Sequence, residues 1–237
     1  MKKIYAITDF RISEECEKRL MREGFSVVKL PPMKDIPSSI ASHTDILVFK
    51  IEETLFLSQK YYEENREAIL PLSPLTLRLT DNTQGEKYPR DAIFNGLVLG
   101  KRLFCKSDSF CTEALEFAEA KGYKICHTRQ GYPACTTLKI SENAAITADA
   151  GMAKALAKEG VSVLRIESGG VLLPPYEYGF IGGAGGVFED TVYFLGDITR
   201  HPSSKTILDF IEKNGKKAVS LSDEPLFDLG GILFVSI

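Results

Sequence analysis

Apolar residues along the chain gather in short β-rich runs with a repeating sequel: a carboxylate, a stretch with apolar positions three and four apart, a glycine, and a second β-rich run. "KIYAITD" leads through "ISEECEKRLMREG" to "FSVVKLP", and "RLFCKSD" through "CTEALEFAEAKG" to "YKICHT". "AAITAD" leads through "AGMAKALAKEG" to "VSVLRIE", and "TVYFLGD" through "HPSSKTILDFIEKNG" to "KKAVSLS". Each period change, from two to 3.6 and back, predicts strand, amphipathic helix, strand. Asp9, Asp108, Asp149 and Asp197 fall near the helix starts, where a carboxylate can accept free backbone N–H groups. Gly24, Gly122, Gly160 and Gly215 fall where a helix end calls for a left-handed residue.

The spacing exposes a fifth member. Asp108 and Asp149 are 41 residues apart, Asp149 and Asp197 are 48, and Asp9 and Asp108 are 99, about two periods. The missing unit is predicted near residue 58, in "DILVFKIEETLFLSQKYYEENREAIL", with Ser58 in the capping place. A further strand precedes four of the units: "DILVFKI", "AIFNGLVLG", "TTLKIS" and "GFIGGAGGVF". The first unit has none, because "KIYAITD" opens the sequence. The apolar ending "GGILFVSI" is predicted to be that strand, residues 232–236 lying beside residues 3–7 and leaving no raw sheet edge. One domain of five ββαβ units follows, at roughly 1–40 plus 230–237, 41–75, 88–128, 131–168 and 178–228.

Five such units at this length resemble the pentein fold, a five-bladed α/β propeller of pseudo-fivefold ββαβ units whose C-terminal strand closes the ring. That superfamily holds the guanidino-group-modifying enzymes (arginine deiminases, dimethylarginine hydrolases, amidinotransferases) and the non-catalytic translation initiation factor six family. The resemblance implies a nucleophilic Cys shortly after a glycine pair in the closing strand. Here Gly230 and Gly231 are followed by Ile232, Leu233 and Phe234. It implies a His as general base opening the inner strand of the fourth unit, where "GYPACTTLKI" offers Ala134, Cys135 and Thr136. It implies acidic residues gripping the guanidinium from the second and third inner strands, where Asp45 and Asp91 stand. The sequence is thus expected to be a divergent member without the usual catalytic Cys and His.

Composition narrows the classes. The 237 residues are 44% hydrophobic, enough for a real core. The net charge of -3 comes with no block of like charge, so nucleic acid and membrane surfaces are not expected partners. The N-terminal apolar stretch breaks at Thr8 and Asp9, too short for a signal sequence, and five cysteines without a CxxC pair fit free thiols, so the expectation is cytoplasmic. Three scattered histidines give no zinc-type spacing, and neither a metal nor another cofactor is expected. Oligomeric state is left open.

The candidate pocket is lined by Asp45, Asp91, Asn95 and Cys135, with Gly182 and Gly183 as ligand-binding candidates. Cys135 is placed on an inner strand at the mouth of the ring, either as a buried small hydrophobe or as a relocated nucleophile. His43 and Asp45, two apart, would share a strand face as an acid–base pair, or simply mark a turn. Asp91 and Asn95 would share a face four apart. "GFIGGAGG" lacks a following GK[ST] and runs into "VFEDTVYF", a strand, so it is not a phosphate loop; its glycines let backbones crowd. Adjacent Cys126 and His127 would point to opposite faces. The function expected is a non-catalytic or relic protein binding a guanidino or amino-acid-like small molecule. The alternative is a hydrolase or amidinotransferase-like enzyme using Cys135.

Overall fold

A computed structural model of the chain describes residues 3–236. Its elements run in chain order as β1 (Ile4–Asp9), α1 (Glu14–Arg22), β2 (Ser26–Leu30); α2 (Thr44–Leu47), β3 (Phe49–Ile51), β4 (Thr54–Ser58), α3 (Gln59–Glu64), α4 (Arg66–Ile69), β5 (Thr76–Thr80); β6 (Leu97–Leu99), β7 (Arg102–Cys105), α5 (Thr112–Ala120), β8 (Lys124–His127); α6 (Pro133–Thr136), β9 (Thr137–Ser141), β10 (Ala144–Thr147), α7 (Ala150–Lys158), β11 (Ser162–Arg165); β12 (Gly185–Phe188), β13 (Thr191–Phe194), α8 (Ser204–Lys213), β14 (Lys217–Ser220); and β15 (Leu233–Ser236). They form five three-stranded sheets: β15-β1-β2, β3-β4-β5, β6-β7-β8, β9-β10-β11 and β12-β13-β14. In each, the middle strand pairs antiparallel with the first and parallel with the third, the third being reached through a helical crossover. The third strand of the second sheet, β5, lies beyond the 41–75 stretch expected for that unit.

The chain end is covered by the chain start. Ile4 faces Ser236, Tyr5 Val235, Ala6 Phe234 and Ile7 Leu233. Phe234 is buried against three rings, with centroids 4.8 Å from Phe25, 5.5 Å from Phe188 and 5.5 Å from Tyr193. The β15-β1-β2 sheet is thereby tied to the β12-β13-β14 sheet by aromatic contact as well as by its own ladder.

Helix ends follow their local chemistry with three corrections. Ser58 and Asp149 cap α3 and α7 by accepting from Tyr61 N and Met152 N, and the glycines after α1, α5, α7 and α8 all have positive φ. Asp9, however, is bound by the Arg11 guanidinium, and Ser13 caps α1 instead. Asp108 is held by Lys106, and the residue before α5 is Cys111. Asp197 caps a 3-10 turn at Ile198–Arg200, one step before α8. No helix among the described residues is long and apolar enough to cross a membrane.

Candidate active site

The first strand of each sheet is short, and what precedes it matters for chemistry. Where the sequence suggested continuous strands, the chain makes single helical turns: α2 before β3, a 3-10 turn at Arg90–Ala92 before β6, α6 before β9, and a 3-10 turn at Gly182–Ala184 before β12. Asp45 and Cys135 therefore sit on helical turns and not on strands, and His43 is the residue that enters α2. Asp91 and Asn95 lie on and just after a turn, so they share no strand face. A turn of three or four residues has no periodicity to read, whereas the apolar residues around it look like a strand.

These turns converge. The Cys135 thiol donates to Asp45 Oδ2 at 2.6 Å. Asn95 is fully buried; its Oδ1 accepts from Ala134 N at 2.8 Å and its Nδ2 lies 3.7 Å from Cys135 Sγ, so one amide fixes both the α6 backbone and the thiol. Tyr132 donates its hydroxyl to Asp91 Oδ2 at 2.6 Å. Asp228, two residues before the glycine pair, accepts from Phe180 N at 2.8 Å and Gly230 N at 3.0 Å, and its Oδ1 is 3.7 Å from His43 Nδ1. Asp228 had only its position beside "GG" to mark it in the sequence. Its partner His43 is 185 residues away.

Glycines make this convergence possible. Gly230 has φ +69°, and a Cβ there would stand 2.5 Å from His43 Cβ and 2.7 Å from Asp45 Oδ1. The same close approach explains the two glycines proposed as ligand contacts. A Cβ on Gly182 would meet the carbonyl oxygens of Ala134, Cys135 and Thr137, and one on Gly183 would stand 1.8 Å from Asp228 Oδ1. Their missing side chains let the turns of different sheets close on each other.

The electrostatics are those of an acidic site out of water. Burial, reinforced by the charge of Asp228, pushes the Asp45 carboxyl up to about 8, against the opposing hydrogen bond from Cys135. Burial also raises Asp228 and Asp91 and lowers His43. The Cys135 thiol is pushed well above its ordinary value by burial and then by Asp45 and Asp228. At neutral pH the site therefore holds a protonated Asp45, a thiol and a neutral imidazole. Asp45 Oδ1, Asp91 Oδ1 and both nitrogens of His43 are buried without hydrogen-bond partners among the described residues.

A cavity of about 490 Å³ opens over this layer, lined among others by His43, Tyr132, Cys135, Tyr176, Glu177 and Asp228. Its charged lining residues, Asp228 and Glu177, are both acidic. A second cavity of about 440 Å³ reaches Asp45, Gly182 and Gly230 from the strands and touches the first strand of every sheet, at Phe49, Leu97, Leu138, Val187 and Phe234.

A model of a protein family described as "Family of unknown function (DUF6873)" matches residues 7–233. The chain belongs to this family, DUF6873. No curated protein matches this member of it. Solved structures resemble the DUF6873 chain over most of its length. DDAH from Pseudomonas aeruginosa in complex with citrulline is 12% identical, with 100% of each chain covered and a TM-score of 0.60. The agmatine deiminase of C. jejuni is 11% identical, covering 93% of this chain and 87% of its own, with a TM-score of 0.56. The inosamine-phosphate amidinotransferase of Streptomyces griseus is 15% identical, covering 93% and 78%, with a TM-score of 0.55. At such identities the likeness is one of fold: a mixed α/β chain of five small sheets, as in the guanidino-modifying enzymes.

Proposed function

We propose that this DUF6873 protein binds a small guanidino or amino cation in the cavity over Cys135, and that its five sheets form a closed five-bladed ring around that site. The ring is supported by the cavity lined from all five first strands and by the Ile232 N–H bond to Gly185 O that joins the closing segment to β12. The observation that carries the ligand class is the acidity of the cavity wall and of the layer behind it: Glu177 and Asp228 line the cavity, Asp45 lies behind Cys135 and Asp91 behind Tyr132, Asp45 Oδ1 and Asp91 Oδ1 lack hydrogen-bond partners, and among the described residues no Lys or Arg side chain bonds to Asp45, Asp91 or Asp228. Buried carboxylates without a cation are costly, and a planar cation with several N–H donors satisfies them. Glu177 at the cavity lining favours a second positive charge over a carboxylate at the far end of the ligand.

The test is a thermal-shift series on the full chain with agmatine, arginine, guanidinoacetate and neutral amino acids. Agmatine is expected to stabilise most, by about 2.7 kcal/mol when present at a hundred times its Kd, and the carboxylate-bearing compounds less. Stabilisation by none of the cations, or by neutral amino acids alone, refutes the assignment.

A second reading, chemistry at Cys135, is favoured by the thiol's position in the cavity wall against Asp45. Without added ligand the raised thiol is expected to alkylate slowly with iodoacetamide. Fast, pH-dependent alkylation with an apparent pKa well under the free-thiol value of about 8.5, blocked by agmatine, is the result that favours catalysis over binding alone.

A further inference from the structure

We propose that His43, Asp45 and Cys135 form a site for a zinc-like divalent ion with three protein ligands, an assignment that goes beyond the guanidino reading while sharing Asp45 with it. One nitrogen of His43, one carboxylate oxygen of Asp45 and the sulfur of Cys135 lie within 4.8 Å of one another. With metal–ligand bonds of about 2.0–2.3 Å, neighbouring atoms of a tetrahedral shell sit roughly 3.3–3.7 Å apart. Modest side-chain shifts bring the three into that shell.

The independent observation is His43 itself. The residue is at 0% exposure, and neither ring nitrogen has a hydrogen-bond partner among the described residues. Nδ1 stands 3.7 Å from Asp228 Oδ1, and Asp228 is fixed by the N–H groups of Phe180 and Gly230. Metal-bound histidines have this surrounding: one nitrogen on the ion, the other turned toward a held carboxylate. Here Asp228 takes the second role and leaves Nε2 for the ion.

The donor set selects the ion. Thiolate, imidazole and one carboxylate suit Zn²⁺ or Co²⁺, whereas Ca²⁺ and Mg²⁺ want oxygen ligands. Three protein ligands leave a fourth position, and the cavity lined by His43 and Cys135 gives water or a ligand atom access to it. On binding, the Cys135 S–H bond breaks, the sulfur gives its electron pair to the metal, and the proton leaves to solvent; Asp45 releases its proton in the same way. A metal-bound Cys135 is then shielded from alkylation.

The full-length, reduced and chelator-treated protein is titrated with Co²⁺ alone and then with Zn²⁺. The proposal expects uptake of one equivalent with a thiolate-to-cobalt charge-transfer band, displaced by Zn²⁺ and lost in Cys135→Ser. Asp228→Asn should keep the band and weaken binding about 10- to 100-fold, while Asp91→Asn leaves metal uptake unchanged and weakens agmatine stabilisation. A wild-type protein without stoichiometric uptake overturns the proposal, and so does a band that survives Cys135→Ser. Should Cys135→Ser fail to show a cooperative unfolding transition, mass-spectrometric alkylation of wild-type Cys135 decides instead: Zn²⁺ must slow it at least tenfold, and an unchanged rate refutes the site. Agmatine stabilisation is scored separately, so either the metal site or the cation pocket can fail alone.

Discussion

A chain ending at Gly231 is expected not to fold. Removing residues 232–237 strips β15 from β1 and takes away Ile232, Phe234 and Val235, all buried. Each such side chain contributes about 1.5–3 kcal/mol on burial, and Phe234 also leaves a hole among Phe25, Phe188 and Tyr193. Together these losses approach the whole stability of a typical domain, about 5–15 kcal/mol. They also leave the edge of β1 unpaired beside newly bared apolar surface, a template for aggregation. Circular dichroism and size exclusion check the outcome. A soluble truncated monomer with a cooperative unfolding transition would mean that the closing strand is an accessory and not a structural part of the first sheet.

The second large effect belongs to Asp45. Its carboxyl is raised from 3.8 to about 8 in the fold, so between those values the folded protein holds a proton that the unfolded chain gives up. Stability from this group is therefore fully present below about pH 4 and is lost as pH rises toward 8. The full gap integrates to at most about 6 kcal/mol. Asp45→Asn cannot ionise, and the variant is expected to gain stability relative to wild type progressively from pH 5 to 9, by a few kcal/mol at the upper end. Asp91 and Asp228 are raised in the same direction and remain, so the profile flattens only in part. His43, lowered by burial, acts oppositely and costs stability as pH falls below its ordinary value near 6.5. Urea melts of the two proteins across this range isolate the Asp45 contribution, and parallel curves would show that its carboxyl is ionised in the folded protein. The same substitution removes a charge-assisted hydrogen bond to a cation, worth about 1.5–3 kcal/mol, and is expected to weaken agmatine binding about 10- to 100-fold.

Much of the architecture was legible because strand and helix periods leave their mark on whole segments. The run from Ile232 to Val235 demanded a cover, and the spacing of Asp9, Asp108, Asp149 and Asp197 exposed the repeat even though Asp9 and Asp108 turned out to be claimed by Arg11 and Lys106. A carboxylate before a helix has competitors within two residues, and a basic neighbour can win it. The site was legible only as a list. Asp45, Asp91, Asn95 and Cys135 were picked out one by one, but their contacts span 39 to 90 residues. Neither the short turns carrying them nor the role of Asp228 has a sequence period. Gly182 and Gly183 signalled crowding, and the crowding is between backbone turns and the Asp228 carboxylate.

The central claim, that buried protonated carboxylates receive a cation, is tested most directly by calorimetric titration of the full chain with agmatine at pH 7 in two buffers of different ionisation enthalpy. A cation entering beside Asp45 must drive its proton off, because burial raises the group to about 8. The account predicts release of about one proton per agmatine bound, seen as a buffer-dependent enthalpy, with release abolished in Asp45→Asn. Agmatine binding with no proton release, or with release unchanged by Asp45→Asn, would contradict it.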